Sequence, residues 1–308
     1  MTVAAPRLDG RGWALLTALA ILWSASFIFI KVAAPEVPAF TLVLCRVGIA
    51  ALVLHAVVIA RSAPYPVRPA LYGRYAVMGF VNNIVPFWLI VYATAKLGAG
   101  SASILNATAP IFALIVAHVV TLDERITPAK LLGILLGMGG VAAMAGPQAV
   151  AGLSGDLLAV GAMLVATFGY GLSAVYGRGF AGIDPTVSAT LQLSASTVML
   201  IPIVLVVDRP WSLAMPGATA LAAVLALAIL STALAYVIYW ALIARSGATN
   251  TILVTLLIPV GGVFFAWALL GEAFTASEAA GLALIGLGLV VIDGRLCGRM
   301  LNVSRVRA

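Results

Sequence analysis

The sequence predicts an all-α integral membrane protein of ten transmembrane helices arranged as two inverted five-helix repeats. Three observations carry that expectation: a charged fraction of only 9% beside 63% hydrophobic residues, lipid-length apolar runs along the whole chain, and an internal repeat. A soluble domain carries roughly 25% charged residues. A chain so poor in charge cannot cover itself for water, and its mean hydropathy of +1.16 agrees. About 20 apolar residues cross the hydrocarbon as a helix. A β-barrel would need apolar and polar residues alternating over about ten-residue segments, and runs such as 131–136 and 222–229 show no alternation.

Taken in order, the first apolar run, Trp13 to Ile30, is long enough to span and lacks a convincing cleavage site, so it is read as helix one and not as a signal peptide. Helices are expected near 12–33, 38–60, 73–95, 99–121, 128–146, 155–177, 185–207, 217–243, 248–270 and 277–294. The loops between them are short and marked by Pro35–Pro38, Pro64–Pro69 and Asp208-Arg209-Pro210. They leave no room for a soluble domain. The two cysteines, Cys45 and Cys297, imply no disulfide framework.

A net charge of +7 would suit a nucleic-acid binder, but here the bases sit in short loops, where they set topology. With the amino terminus inside, the inner segments hold 13 of them: Arg7, Arg11, Arg61, Arg68, Arg74, Arg125, Lys130, Arg178, Arg245, Arg295, Arg299, Arg305 and Arg307. The outer segments hold 3, namely Lys31, Lys96 and Arg209, and Arg46 lies within a helix. Both termini are therefore expected in the cytoplasm, the partners being lipid and a small solute, with no nucleic acid.

The chain repeats itself. Leu97-Gly98-Ala99 through Pro110, Glu124, Thr127, Gly133 and Gly140 lies on Ser246-Gly247-Ala248 through Pro259, Glu272, Thr275, Gly281 and Gly288. Upstream, Asp9, Trp23, Ser26 and Lys31 fall on Asp156, Tyr170, Ser173 and Arg178. The units are 1–147 and 148–308, five helices each. Five is odd, so the second must enter the membrane upside down. Inverted repeats recur in secondary transporters, whose halves rock about a midplane site; channels use them too.

At these same residues the sequence resembles the drug/metabolite transporter superfamily, EamA type. Trp23-Ser24-Ala25-Ser26-Phe27 with Lys31 is similar to that family's first-helix signature. The stretch ending in Pro110 followed by Glu124-Arg125-Ile126-Thr127, and Gly271-Glu272 in the second half, resemble its loops. Gly133–Gly140 and Gly281–Gly288 resemble its glycine-rich fifth and tenth helices, and Gly155-Asp156 the start of its second repeat. The resemblance covers nearly the whole chain. It implies a ten-helix carrier with cytoplasmic termini and, for bacterial members, export of amino acids or related metabolites across the inner membrane, the aromatic amino acid exporters being one such branch. Tyr170 stands where the pattern expects tryptophan, so the two halves need not touch the solute alike.

The candidate site residues are polar or aromatic positions inside apolar helices. Arg46 is the one charge well inside a helix. An intramembrane charge is a functional hypothesis by default; Arg46 either attracts a substrate carboxylate, or holds neighbouring carbonyls or snorkels to an interface, and the resemblance, whose family often has arginine here whatever the solute, favours the structural role. Pro86, Pro110 and Pro259 each remove the hydrogen bond to the carbonyl four residues earlier, at Asn82, Asn106 and Thr255. Each place then offers a free carbonyl and a polar side chain, either as cavity lining fit for an ammonium group or as a plain kink. Trp23 with Phe27, Tyr170 with Ser173, and Thr232, Tyr236 and Tyr239 form polar-aromatic helix faces, the last matching Asn83, Phe87 and Ile90. The expected substrate-binding set is Trp23, Arg46, Asn82, Asn83, Asn106, Tyr170, Tyr236, Tyr239 and Thr255.

Other features are weaker. Glu124 and Glu272 sit at helix ends, where capping or gating is expected, and His55 and His118 suit packing or interfacial roles. In helices five and ten, residues 131–145 and 281–292 carry no polar side chain but many glycines. They are expected at the periphery, where Gly133-x-x-x-Gly137 offers a dimer face, so the protein is expected to be a monomer or a weak homodimer. Gly152-Leu153-Ser154-Gly155 resembles a serine-protease box, but both histidines lie upstream and the segment reads as a turn and helix cap. There is no G-x-x-x-x-G-K-[ST] loop. No cofactor, metal or catalytic set is expected. The sequence thus points to a secondary transporter exporting small zwitterionic metabolites, amino acids above all; the alternatives are a solute or multidrug exporter of broad specificity, and a solute channel.

Overall fold

A computed structural model describes residues 8–154, 156–270 and 275–293. Among these residues the fold is entirely helical: α1 (Gly10–Ala33), α2 (Ala39–Ala60), α3 (Pro69–Gly79), a π-turn (Phe80–Ile84), α4 (Val85–Asn106), α5 (Ala109–Val120), α6 (Pro128–Ala151), α7 (Leu157–Gly177), α8 (Pro185–Val207), α9 (Ala218–Ala228), a second π-turn (Ile229–Leu234), α10 (Ala235–Ser246), α11 (Ala248–Ile252), α12 (Val254–Leu270) and α13 (Ala276–Asp293). Seven helices among the described residues are long and apolar enough to cross a membrane, and 104–120 and 276–292 are shorter apolar helices.

The helices start where the sequence supplies caps. Asp9 accepts from the Gly12 amide at 2.7 Å, Thr127 from Lys130, Asp156 from Ala159, and Asp184 from Thr186 and Val187. A side-chain oxygen at this position satisfies one of the four amides a helix leaves open. Pro128 and Pro185 follow their caps at the first turn, where a missing N–H costs nothing.

Packing interleaves the two halves. α2 runs along α8, α6 along α13 and α4 along α7. α2 also packs on α9 and the second π-turn, while α8 packs on α3 and the first. Each half thus braces the unwound segment of the other. The α6–α13 seam is made of glycine: a Cβ on Gly133 would lie 2.5 Å from the Gly288 carbonyl oxygen, and one on Gly140 2.6 Å from that of Gly281. In lipid no hydrophobic effect drives such pairing, so close backbone approach and van der Waals contact must.

Three expectations are corrected. The break expected at 96–98 falls within α4, and the chain turns instead at Ala107–Thr108. Pro110 is consequently in the first turn of α5 and not inside a helix. The glycines offered as a dimer face are spent within the chain, between α6 and α13. Elsewhere the boundaries agree closely: 185–207 matches α8, and the expected end of helix five at 146 coincides with Gly146, whose φ of +83° interrupts α6 before Pro147.

Candidate substrate-binding site

The site is built on the two π-turns. A π-turn inserts one residue into a helix and widens it, which turns consecutive polar residues towards the same side. The first lies directly before Pro86, with the Val85 amide donating five residues back to Phe80. It buries Asn82 and Asn83; the second buries Ser231 and Thr232. The second π-turn occupies the repeat-equivalent position, since Thr232 is the counterpart of Asn83.

Around the first π-turn a continuous hydrogen-bond network forms. The Trp240 indole N–H donates to Gln192 Oε1 at 2.9 Å. Gln192 Nε2 donates to Asn82 Oδ1 at 2.9 Å and to Asn83 Oδ1 at 2.7 Å. Asn82 Nδ2 donates to Ser173 Oγ at 2.7 Å, and the Tyr236 hydroxyl to Asn82 Oδ1 at 3.1 Å. Ser173 in turn donates to the Tyr170 carbonyl at 2.9 Å. Trp23 closes the cluster with its ring 6.4 Å from Tyr236 and 5.8 Å from Tyr239. Two buried polar atoms are left over: Asn83 Nδ2 and the Tyr239 hydroxyl have no hydrogen-bond partner, although the hydroxyl lies beside Ser173 and Asn82.

At the second π-turn stands Arg46, only 8% exposed. Its Nε donates to Thr232 Oγ1 at 2.9 Å and its Nη2 to the Ser231 carbonyl at 3.4 Å, and its guanidinium lies 4.7 Å from the Phe87 ring centroid. Tyr170 and Tyr236 are within electrostatic reach of it. Among the described residues it forms no ion pair with any acid. A buried charge is ordinarily paired, because its desolvation otherwise costs several kcal/mol or more. Holding a π-turn accounts for Nε and Nη2, and the Phe87 ring offsets part of the charge, but no anionic partner meets it among the described residues.

The structure therefore brings together Trp23, Arg46, Asn82, Asn83, Tyr170, Tyr236 and Tyr239. It does not join Asn106 or Thr255 to them. Asn106 ends α4 beside a turn in which Thr108 bonds Thr167, and Thr255 Oγ1 donates to the Ile252 carbonyl. Sequence reasoning missed Gln192 and Trp240. A signal existed: Gln192 lies 146 residues after Arg46, within one residue of the upstream repeat offset, and it is the one amide side chain in the lipid-length run 185–207.

A cavity of about 440 Å³ adjoins the cluster, lined by Trp240 and Phe180 and, at the end of the bundle, by Asp123, Arg178, Arg245 and Gly247. Its rim is clamped by charge. Arg178 forms a two-pronged pair with Asp123 at 2.6 and 2.9 Å and reaches Glu124 at 3.3 Å, while Arg245 pairs with Asp9. The Arg178 guanidinium holds the Asp123 carboxyl below the usual carboxylate range. Glu124, 1% exposed, accepts from the Ala248 and Thr249 amides, both at 2.9 Å. It caps α11 from the other half of the chain, as its place at a helix end leads one to expect; Glu272, its counterpart, lies outside the described residues. Ser154 sits on an exposed turn and donates to the Ala151 carbonyl, and His55 bonds Tyr65 and Ser194.

Comparison with known proteins agrees with this architecture. A crystal structure of another protein superposes with a TM-score of 0.77 at 20% identity, covering 95% of this chain and 99% of that one; at that identity the likeness speaks for the fold. The uncharacterized transporter YoaV of Bacillus subtilis is 22% identical over 89% of this chain and 94% of its own. A probable terminal-alkyne amino-acid exporter of Streptantibioticus cattleyicolor is 26% identical over 95% of this chain and 96% of its own. The model of the EamA-like transporter family matches twice, over residues 10–146 and 154–293. Nearly every described helix falls within those two matches, and the chain belongs to that family of multi-pass membrane transporters.

Proposed function

We propose that this protein is a secondary transporter that exports small zwitterionic metabolites, amino acids foremost, across the bacterial inner membrane by alternating access. The observation that carries the reading is Arg46: a buried cation with no acidic partner among the described residues, set among aromatic rings where the two halves interleave. A carboxylate would compensate that charge, and Trp23, Tyr236 and Tyr239 would hold an apolar or aromatic side chain. The name of the Streptantibioticus relative, an amino-acid exporter, supports the same solute class.

The proposed frame is ten transmembrane helices in two inverted units, 1–147 and 148–308. The double match of the family model and the equivalent π-turns support it. The 13-to-3 distribution of bases supports cytoplasmic termini, which puts the cavity rim at Arg178 and Arg245 on the cytoplasmic side. The internal burial of the α6–α13 glycines favours a monomer. The test is counterflow in proteoliposomes with radiolabelled amino acids. A carrier saturates and is accelerated by unlabelled solute on the far side. Linear flux without counterflow would establish a channel instead, and silence across all twenty amino acids would remove the substrate class.

A further inference from the structure

Gln192 makes no contact with Arg46, yet it stands in the second half where Arg46 stands in the first: each reaches from the second helix of its own unit into the π-turn of the other. Its orientation is fixed by chemistry. An indole N–H can only donate, so the Gln192 atom facing Trp240 is the carbonyl oxygen. Nε2 must then be the end that faces the asparagines, and it can only donate. Both asparagines consequently present their oxygens to it. The Asn82 amide nitrogen is spent on Ser173. That of Asn83, on a side chain with 0% exposure, makes no hydrogen bond of good geometry and has only the Tyr236 hydroxyl oxygen beside it. One tryptophan N–H thus sets the polarity of Gln192 and, through its nitrogen, of both asparagines, and leaves a buried N–H donor on Asn83.

We propose that Gln192, oriented by Trp240, is a positioning residue that sets which end of a solute this site recognises. Through it, Asn83 shows the solute a donor and not an acceptor. Together with the charge of Arg46, which meets no anionic partner among the described residues, this gives the cluster unspent donors and no acidic acceptor. The recognised group is therefore an anionic acceptor, a carboxylate, and the ammonium of a zwitterion is secondary. This rests on the transport reading above but adds a claim that the reading does not require: the carboxylate preference is encoded in an amide relay and can be inverted by one substitution. Gln192→Glu replaces the two N–H donors with an acceptor. The asparagine amides then turn to donate to it, Asn83 presents its carbonyl, and the new carboxylate offsets Arg46. Trp240→Phe removes the N–H that orients the relay and leaves a smaller aromatic ring in place.

The experiment is thermal stabilisation of the purified full chain in detergent micelles, titrated with phenylalanine, phenylalaninamide, phenethylamine and 3-phenylpropionate. Wild type should bind the two carboxylates roughly tenfold or more tightly than the amide and the amine, the scale of one hydrogen bond to a charged group. Gln192→Glu should reverse that order, and Trp240→Phe should bring the four within about threefold of one another. A merely structural role would weaken all four alike, so uniform weakening in both variants overturns the proposal. So does a wild-type order retained in both, or a wild type that binds phenylalanine and its amide equally. If 3-phenylpropionate binds and responds to the variants while phenylalanine does not bind, the relay stands and the amino-acid reading falls. If none of the four binds wild type, both fall.

Discussion

Replacing Gly140 with alanine adds one methyl group to the α6–α13 seam, and the structure states what it meets. The new Cβ would lie 2.6 Å from the Gly281 carbonyl oxygen, 2.7 Å from Ile285 Cγ1 and 2.9 Å from the Ile285 amide nitrogen. Two of those atoms are backbone and cannot rotate away. Ordinary contact begins at 3.4 Å, so the helices must part by about 0.8 Å at this point. Overpacking of this kind costs about 1–3 kcal/mol. Alanine also gains about 0.5–1 kcal/mol over glycine inside a helix, so the net loss should be up to about 2.5 kcal/mol. The neighbouring Gly139 supplies the control, because a Cβ there meets nothing within 4 Å. Gly139→Ala should collect the helix gain alone and stabilise by about 0.5–1 kcal/mol. Thermal unfolding of both variants in detergent micelles measures the difference. Equal midpoints for the two would refute the reading of α6 and α13 as a close-packed seam. Solute preference should be unchanged in both, since the seam carries no polar side chain.

Arg46→Gln should lower carboxylate-solute transport at least several-fold at normal membrane levels, with Arg46→Lys retaining part of it; wild-type kinetics in Arg46→Gln would reduce the residue to a brace for the second π-turn. Tyr236→Ala should lower transport several-fold, as the loss of one neutral hydrogen bond of about 0.5–1.5 kcal/mol implies, while Ser154→Ala should leave counterflow unchanged. The Asp123–Arg178 clamp carries a pH signature. Arg178 depresses the Asp123 carboxyl, so the clamp's contribution is complete above the unfolded value of about 3.9 and is lost as pH falls through the lower folded value. Asp123→Asn should therefore flatten the acid limb of thermal stability, and an unaltered limb would show that the pair contributes nothing. Carboxy-terminal phosphatase fusions should be inactive and green fluorescent protein fusions bright, and an active phosphatase would reverse the proposed topology.

Trp23, Arg46, Asn82, Asn83, Tyr170, Tyr236 and Tyr239 were legible in the sequence because a polar group in a lipid-length apolar run is expensive unless partnered. Gln192 is just as polar and just as deep, but its importance depends on α8 approaching the first π-turn, which no local pattern records. Asn106 and Thr255 came from reading each proline as a kink inside a helix. Pro110 obeys the other rule for proline and opens a helix after a break, and the sequence alone does not choose between the two. The glycines of α6 and α13 announced a close approach without naming the partner. A dimer and an intramolecular seam need the same small residues, and only the fold shows Gly133 facing Gly288 and Gly140 facing Gly281.

The exchange between halves, in which α2 grips one π-turn and α8 the other, bears on why such a transporter would be a single polypeptide. Under the proposed organisation, a single five-helix unit could assemble the same bundle as an antiparallel pair of identical subunits. That pair would have to use the same residue at both grips. Two arginines would bury two like charges in one apolar core, and two glutamines would leave no charge to meet a solute. Fusing the copies frees the positions to diverge, and here one is Arg46 and the other Gln192. A head-to-tail molecule such as an amino acid has no two-fold axis of its own, and a joined chain can give it a chamber with distinguishable ends.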